Sequence, residues 1–173
     1  MLKNILNFSE KKWFWLAFLT FCIALEAMAL FYQYVLEYSP CVLCIHVRIF
    51  VLGFISISLI AIAFLNSKYV LLLVHALMVL LSAGLLERSY QLFGTERGFI
   101  LGSCSMESGL PSWFALDEWF PVFFKVWEPC GYTPELLFGI TMAEALMVLS
   151  VSLLIVSSIY TFHLVFRRFI NTQ

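Results

Sequence analysis

Charge is scarce in this sequence: Asp, Glu, Lys and Arg make up only 12% of 173 residues, about half the ~25% of an ordinary soluble domain. Ten basic residues stand against eleven acidic ones, for a net charge of −1. The basic residues are few and scattered, which removes the electrostatic footprint of a nucleic-acid binder. Repeats and low-complexity tracts are lacking as well. Apolar residues, by contrast, make up 62%, and the mean hydropathy is +0.96. A soluble core of this size could not hide that much apolar surface, so a soluble single-domain enzyme and a disordered chain are both excluded. Lipid is the solvent such a chain requires.

Four runs are long and apolar enough to cross a bilayer, which takes ~20 helical residues. They are predicted over about 13–35, 44–65, 69–86 and 138–166. The runs are continuous rather than alternating, so helices are expected and membrane strands are not. The expected fold is an all-α membrane protein: one integral domain over 1–173, a four-transmembrane-helix bundle. Its connections fall at about 36–43 and 87–137. The start of the chain imitates a signal peptide, with Lys3, Lys11 and Lys12 before an apolar stretch and Ala27-Met28-Ala29 as a small-x-small site. That stretch continues past the site to Val35, longer than a signal core, so it is read as a retained span.

Six Lys and Arg residues lie at the N-terminus, at the Asn66-Ser67-Lys68 turn and at the tail (Arg167, Arg168). The 87–135 stretch has three (Arg88, Arg97, Lys125) beside seven acids. The positive-inside bias therefore predicts cytoplasmic termini, with the 36–43 and 87–137 connections on the outer side. Within the longer connection, Trp113, Leu116, Trp119, Phe120 and Phe123 share one face of a helix over 113–124. This predicts a short amphipathic helix lying on the membrane, with Pro121 kinking it. Trp13, Trp15, Tyr32 and Tyr34 suit aromatic belts.

Four of the five cysteines fall on the predicted outer side, where disulfides form and persist. Cys41-Val42-Leu43-Cys44 opens the second span, Cys104 and Cys130 lie in the long connection, and Cys22 sits mid-span as a small apolar filler. A CxxC pair alone can be half a zinc site, a structural disulfide or a cycling dithiol. Zinc wants four closed ligands, and His46 with the cysteines could supply them. No second CxxC or HxxxH pair exists, so no metal is expected. A structural disulfide across so short a loop constrains the unfolded chain little. Redox cycling suits the setting better: Pro40 stops the preceding segment and Cys44 enters the first turn of a helix, whose positive end favours a thiolate. Arg48 lies one turn beyond Cys44 on the same face and is expected to support that thiolate. Glu26 and Glu144, inside spans, are costly carboxylates that either pair with Arg48 or Arg88 or stay protonated. His75 is expected to be a packing residue.

Taken together, Glu26 and Gln33, Pro40-Cys41-Val42-Leu43-Cys44, Arg48, Arg88-x-x-Gln91, Cys104, Cys130 and Gly139-Ile140-x-Met142 resemble the disulfide bond formation protein B (DsbB) family over nearly the whole chain. The resemblance implies a thiol:quinone oxidoreductase of the bacterial inner membrane. Such a protein reoxidises the periplasmic dithiol oxidase DsbA and passes two electrons to ubiquinone, with menaquinone as the alternative. It implies that Cys104 and Cys130 form the disulfide that DsbA attacks at Cys104. Cys130 then exchanges with Cys41, and Cys44 meets the quinone beside Arg48. One departure stands out: relatives can carry a histidine after the third helix, and Glu87–Cys104 has none. A specialised relative serving a dedicated partner oxidase, and a zinc-binding or structural membrane protein, are the competing readings.

Overall fold

The computed structural model describes residues 11–100, 107–131, 133–137 and 139–170. Four helices are long and apolar enough to span a membrane: α1 (Lys12–Tyr34), α2 (Val42–Ala63), α3 (Lys68–Glu96) and α6 (Met142–Ile170). Between α3 and α6 lie a 3-10 turn (Ser112–Phe114) and two single-turn helices, α4 (Leu116–Trp119) and α5 (Pro121–Phe124). A two-stranded antiparallel ladder follows, β1 (Glu135–Leu137) with β2 (Ile140–Thr141), pairing Glu135 with Thr141 and Leu137 with Ile140. The chain is a four-helix membrane protein, as expected, with this ladder as a small addition before α6.

The third helix runs ten residues past the expected end at 86. Polar side chains do not end a helix, and here they pair along its surface: Arg88 Nη1 donates to Gln91 Oε1 at 3.1 Å, and Gln91 Nε2 to Glu87 Oε1 at 3.2 Å. Leu85, Ser89 and Leu92 stay fully buried on the other face. What ends α3 is Gly98, whose φ of +76° is the left-handed conformation that glycine adopts without cost. There the Phe99 amide reaches back to Gly94 O at 3.0 Å. The last span starts later than expected, at Met142, because Thr141 and Glu144 form a capping box. The Glu144 amide donates to Thr141 Oγ1 at 3.3 Å and the Thr141 amide to Glu144 Oε2 at 3.2 Å. Glu144 also pairs with Arg97, and Thr141 Oγ1 donates to Glu96 Oε2 at 3.1 Å. Glu144 therefore sits at a helix end, bound to Arg97 rather than to Arg48 or Arg88.

Around the bundle the order is α1, α2, α3, α6. Helices α1 with α2, α2 with α3, and α3 with α6 pack along shared seams; α1 and α6 share no comparable one among the described residues. At the end away from the cysteines, Phe14 meets Tyr160 edge-on at 5.4 Å. His75, fully buried, packs its ring between Trp15 at 5.3 Å and Tyr160 at 6.0 Å. Trp15 is thus a core residue and not the belt residue the sequence suggested. Towards the other end, α1 and α6 leave a gap.

The α2–α3 seam depends on a glycine. A Cβ on Gly84 would stand 2.6 Å from the Phe50 ring, so backbone and aromatic ring approach as only glycine permits. Gly84→Ala is expected to lower stability by ~1–3 kcal/mol, the usual cost of overpacking, with partial recovery when Phe50→Leu is added. Thermal unfolding of the detergent-purified variants measures both.

Candidate active site

Pro40 ends the α1–α2 connection, and Cys41 becomes the N-cap of α2 in extended conformation. An N-cap side chain accepts from an amide two or three residues on. Here the acceptor is sulfur: the Cys44 amide lies 3.4 Å from Cys41 Sγ. Three residues of helix return the chain almost to the same azimuth, so the two sulfurs stand 3.0 Å apart as a free dithiol. Two sulfurs this close share one hydrogen, and with Cys41 as the thiolate it is the Cys44 S–H that donates. This bond, followed by the backbone amides of the first turn, holds the Cys41 thiol down at about 7 against burial, which acts the other way. The sequence assigned the stabilised thiolate to Cys44; the donors gather on Cys41 instead, because the N-cap position belongs to the first cysteine of the pair.

Arg48 is almost completely buried. Its guanidinium donates to Gln33 Oε1 at 2.5 Å and Ala29 O at 3.1 Å, both on α1, and to Phe123 O at 2.9 Å on α5. Its charge is felt at Cys44 and at Glu26, while its hydrogen bonds go elsewhere. The sequence placed Arg48 beside the sulfur; the structure adds that it clamps two elements onto α2. Gln33 Nε2 (3.3 Å) and the Tyr34 hydroxyl both donate to Val122 O. The single-turn helix α5 thus has its free C-terminal carbonyls satisfied by α1 and by Arg48, as helix ends require. Sequence reading left Gln33 and Tyr34 without this role, since nothing local marks a contact 88 or 89 residues distant.

The expected amphipathic helix over 113–124 is broken into three short turns. Phe120 and Ala115 leave helical geometry at the junctions, and Pro121 opens a new turn instead of kinking an old one. Trp113, Trp119, Phe120, Val122 and Phe123 are nonetheless exposed, and Phe124 is buried beneath them. The segment keeps an outward apolar face. Beyond it, the Trp127 amide donates to Pro40 O at 3.1 Å. Val126 and Cys130 pack on the cluster formed by Cys41, Val42, Leu43, Leu92 and Ala143, where Cys44 also packs. Cys130 is disulfide-bonded. Cys104 lies outside the described residues.

A cavity of about 200 Å³ occupies the gap between α1 and α6. Phe21, Leu25, Met28 and Tyr32 line it from α1, and Met142, Leu146, Leu149 and Leu153 from α6. Its polar lining includes Cys41, Cys44, Arg48 and Glu26. Cys22 also reaches the wall, yet it is buried 2% exposed in the apolar core with Trp15 and Phe54. Among the described residues no group of His, Cys, Asp and Glu could hold a metal ion.

A dithiol at a helix start, a disulfide-bonded cysteine packed beside it and an apolar cavity behind it agree with what comparison with known proteins finds. The sequence model of the family "Disulfide bond formation protein DsbB" matches residues 11–160. The chain belongs to the DsbB family. It is 32% identical to the Disulfide bond formation protein B of Shewanella loihica over 143 residues, covering 82% of this chain and 84% of the relative. To the protein of that name from Haemophilus influenzae it is 30% identical over 151 residues, covering 86% and 85%. The Shewanella denitrificans protein is 29% identical over 144 residues. The chain is therefore a multi-pass membrane disulfide bond formation protein.

Two outcomes follow from the geometry. Alkylation of Cys41 is expected to reach half its limiting rate near pH 7 and to fall at lower pH as the thiolate is protonated. In Cys44→Ala, which removes the leading donor, the midpoint rises towards the ordinary thiol value of 9.0. Alkylation rate against pH, with Cys22 replaced by alanine, reads this directly. Separately, Arg48→Ala leaves three part-buried acceptors without their donor, each at up to ~1–3 kcal/mol. Limited proteolysis is then expected to cut the 116–127 segment faster than in the native protein, with Arg48→Lys between the two because it lacks the planar fork.

Proposed function

We propose that this protein is the thiol:quinone oxidoreductase that reoxidises a DsbA-type dithiol oxidase. In this reading it lies in the bacterial inner membrane with both termini cytoplasmic and the cysteine-bearing end facing the periplasm. Ubiquinone is the acceptor, with menaquinone as the alternative. The observation that carries the reading is the packing of Cys130 on the Cys41–Cys44 helix start, at the mouth of a lipid-side cavity whose wall holds Cys44 and Arg48.

Cys104, the remaining cysteine of the chain, is the proposed partner of Cys130. A thiolate of reduced DsbA attacks Cys104 Sγ; that bond forms, the Cys104–Cys130 bond breaks and Cys130 leaves as a thiolate. Cys130 then attacks Cys41 of the oxidised pair and Cys44 leaves. The second DsbA thiol then frees DsbA as its disulfide and Cys104 as a thiolate; Cys104 attacks Cys130 Sγ of the Cys41–Cys130 bond, which restores Cys104–Cys130 and leaves Cys41 and Cys44 as the dithiol. DsbA is a strong oxidant at about −120 mV, so its reoxidation needs an acceptor of higher potential. A quinone supplies this chemistry, accepting two electrons and two protons for each dithiol oxidised.

The residues present fit such a group. The cavity walls are apolar on both sides and suit a ring with an isoprenoid tail. The gap between α1 and α6 gives that tail lateral access from the bilayer. Arg48 lines the wall as the cation nearest Cys44 and would orient an acceptor oxygen. Cys44 places its sulfur at that wall while its S–H is engaged on Cys41 Sγ. Cys41, 3.0 Å from Cys44, is placed to form the S–S bond with it when an acceptor would take the pair's two electrons and two protons.

In the full assay, with purified protein, reduced DsbA and ubiquinone, serine replacement of Cys41, Cys44, Cys104 or Cys130 is expected to abolish turnover. Cys22→Ala leaves it within about twofold, since Cys22 only packs. Full activity of Cys104→Ser would sink the relay, and bound zinc with no thiol turnover would favour the structural alternative.

A further inference from the structure

Oxidation of a thiol pair by a quinone moves protons as well as electrons. In the reaction proposed above, two protons leave the partner dithiol in water for each disulfide formed, and the acceptor in the cavity takes up two. With Cys41 as the thiolate, the Cys41–Cys44 pair holds a single shared hydrogen. At least one proton per turnover must therefore enter the cavity from water. A hydrated proton does not arrive through the α1–α6 gap, where lipid makes charge costly. The entrance has to lie at the cysteine-bearing end.

Such an opening is built there. Beyond the spans, the cavity wall continues through Tyr38, Ser39 and Pro40 of the α1–α2 connection, and through Glu128, Pro129 and Pro134 of the long connection. Two anchors hold the second limb over the start of α2: the Trp127 amide on Pro40 O at 3.1 Å, and Cys130 packed on the cluster around Cys41. Glu128 falls between these anchors. It is exposed and at the same time lines the cavity, and among the described residues it has no hydrogen bond or ion pair. Lys125, three residues before it, lies over the Trp127 ring at 4.7 Å instead. Tyr38 and Ser39 offer hydroxyls to this rim, while Glu26 and Arg48 lie within the spans. Residues 107–110 take no part in the wall. There His46 Nε2 donates to Ser108 O at 2.8 Å, from a position about 200° of helix turn round from Cys44.

We propose that this rim is the proton entrance of the cavity and that Glu128 is the carboxylate that collects protons at it. A fixed negative charge at a narrow mouth raises the local concentration of hydronium and other small cations and lowers that of anions. The carboxylate takes a proton from water on its exposed side and releases it on the cavity side, so no electron passes through it and the proton count is unchanged. Glu128 acts on the sulfur pair only through those protons and is a positioning residue. The use of the protons rests on the thiol:quinone reading; the mouth and its charge do not.

The first arm of the test therefore needs neither DsbA nor a quinone. In the full-length protein with Cys22→Ala and with Cys130 kept in its disulfide, the thiols of Cys41 and Cys44 are alkylated with iodoacetate, an anion, or with iodoacetamide, neutral and of similar size. The neutral reagent registers any change in thiolate population, so the ratio of the two rates isolates the charge at the mouth. Glu128→Gln is expected to raise the iodoacetate-to-iodoacetamide ratio about threefold and Glu128→Lys about tenfold, as removal and reversal of one nearby charge require. Both effects shrink in ~1 M salt. In the second arm, at saturating reduced DsbA and ubiquinone, Glu128→Gln is expected to lower kcat by about the same threefold, and added formate, a small proton carrier, restores it. An unchanged reagent ratio would overturn the proposal, as would equal acceleration of both reagents, which marks a loosened loop. A native kcat in Glu128→Gln would overturn it too, and so would a raised KM for DsbA at unchanged kcat, the mark of a docking contact. Failure of the thiol:quinone reading shows differently: the native protein does not oxidise DsbA with ubiquinone, while the reagent ratio still responds to Glu128.

Discussion

A buried guanidinium decides how the cysteine-bearing end of this bundle is assembled. Charge within a membrane-spanning helix is costly unless acceptors surround it, and Arg48 finds three. Two come from α1 (Ala29 and Gln33) and one from α5 (Phe123). The demand runs both ways. Helix α1 must approach α2 at that level, and the turn Pro121–Phe124 must end with its carbonyls facing inward. With those two elements placed, Tyr34 and Gln33 meet Val122, the Trp127 amide meets Pro40, and Cys130 is delivered to the cluster around Cys41. The rigid fork of arginine suits this role, because its donors point in fixed and different directions.

The same clamp explains why the bundle has a gap. Arg48 ties α1 to α2, while Arg97, Glu96, Thr141 and Glu144 tie the start of α6 to the end of α3. The two outer helices are thus each fastened to an inner neighbour at the loop end, and they meet at the other end through Phe14 and Tyr160. A wedge opening towards the cysteines follows, with apolar walls that lipid or a lipid-soluble molecule can wet. Closing it would need α1 to leave Arg48 or α6 to leave α3.

The four spans were legible because hydrophobic length is a summed property that single residues cannot hide. Their ends were harder. Reading Glu87 and Arg88 as the end of α3 confused polarity with helix termination, whereas Gly98 was the real stop signal. The Thr141-x-x-Glu144 capping box was present in the sequence, yet Glu144 was read as an intramembrane carboxylate and the cap went unseen. For the site, the Cys41–Cys44 spacing gave the dithiol outright. The partners of Arg48, Gln33 and His46 lie from 15 to 89 residues away, and no periodicity encodes contacts between a loop and a helix at that separation. The broken helix over 113–124 belongs to the same class: its apolar periodicity was real, but the backbone follows the donors offered by α1 and Arg48.

A CxxC pair at a helix start is symmetric in sequence and cannot be so in structure. One cysteine must be the N-cap, outside the helix, where its sulfur meets the unpaired amides of the first turn. The other is then the third helical residue, brought back beside it by the helix pitch and facing along the bundle. The first is stabilised as a thiolate and the second donates its proton to it; both line the cavity and pack beside Cys130. The asymmetry that the proposed relay uses is thus set by where Pro40 ends the preceding segment. Shifting that stop by one residue would turn both sulfurs through about 100°, taking Cys41 out of the cap and Cys44 off the cavity wall while leaving the motif itself unchanged.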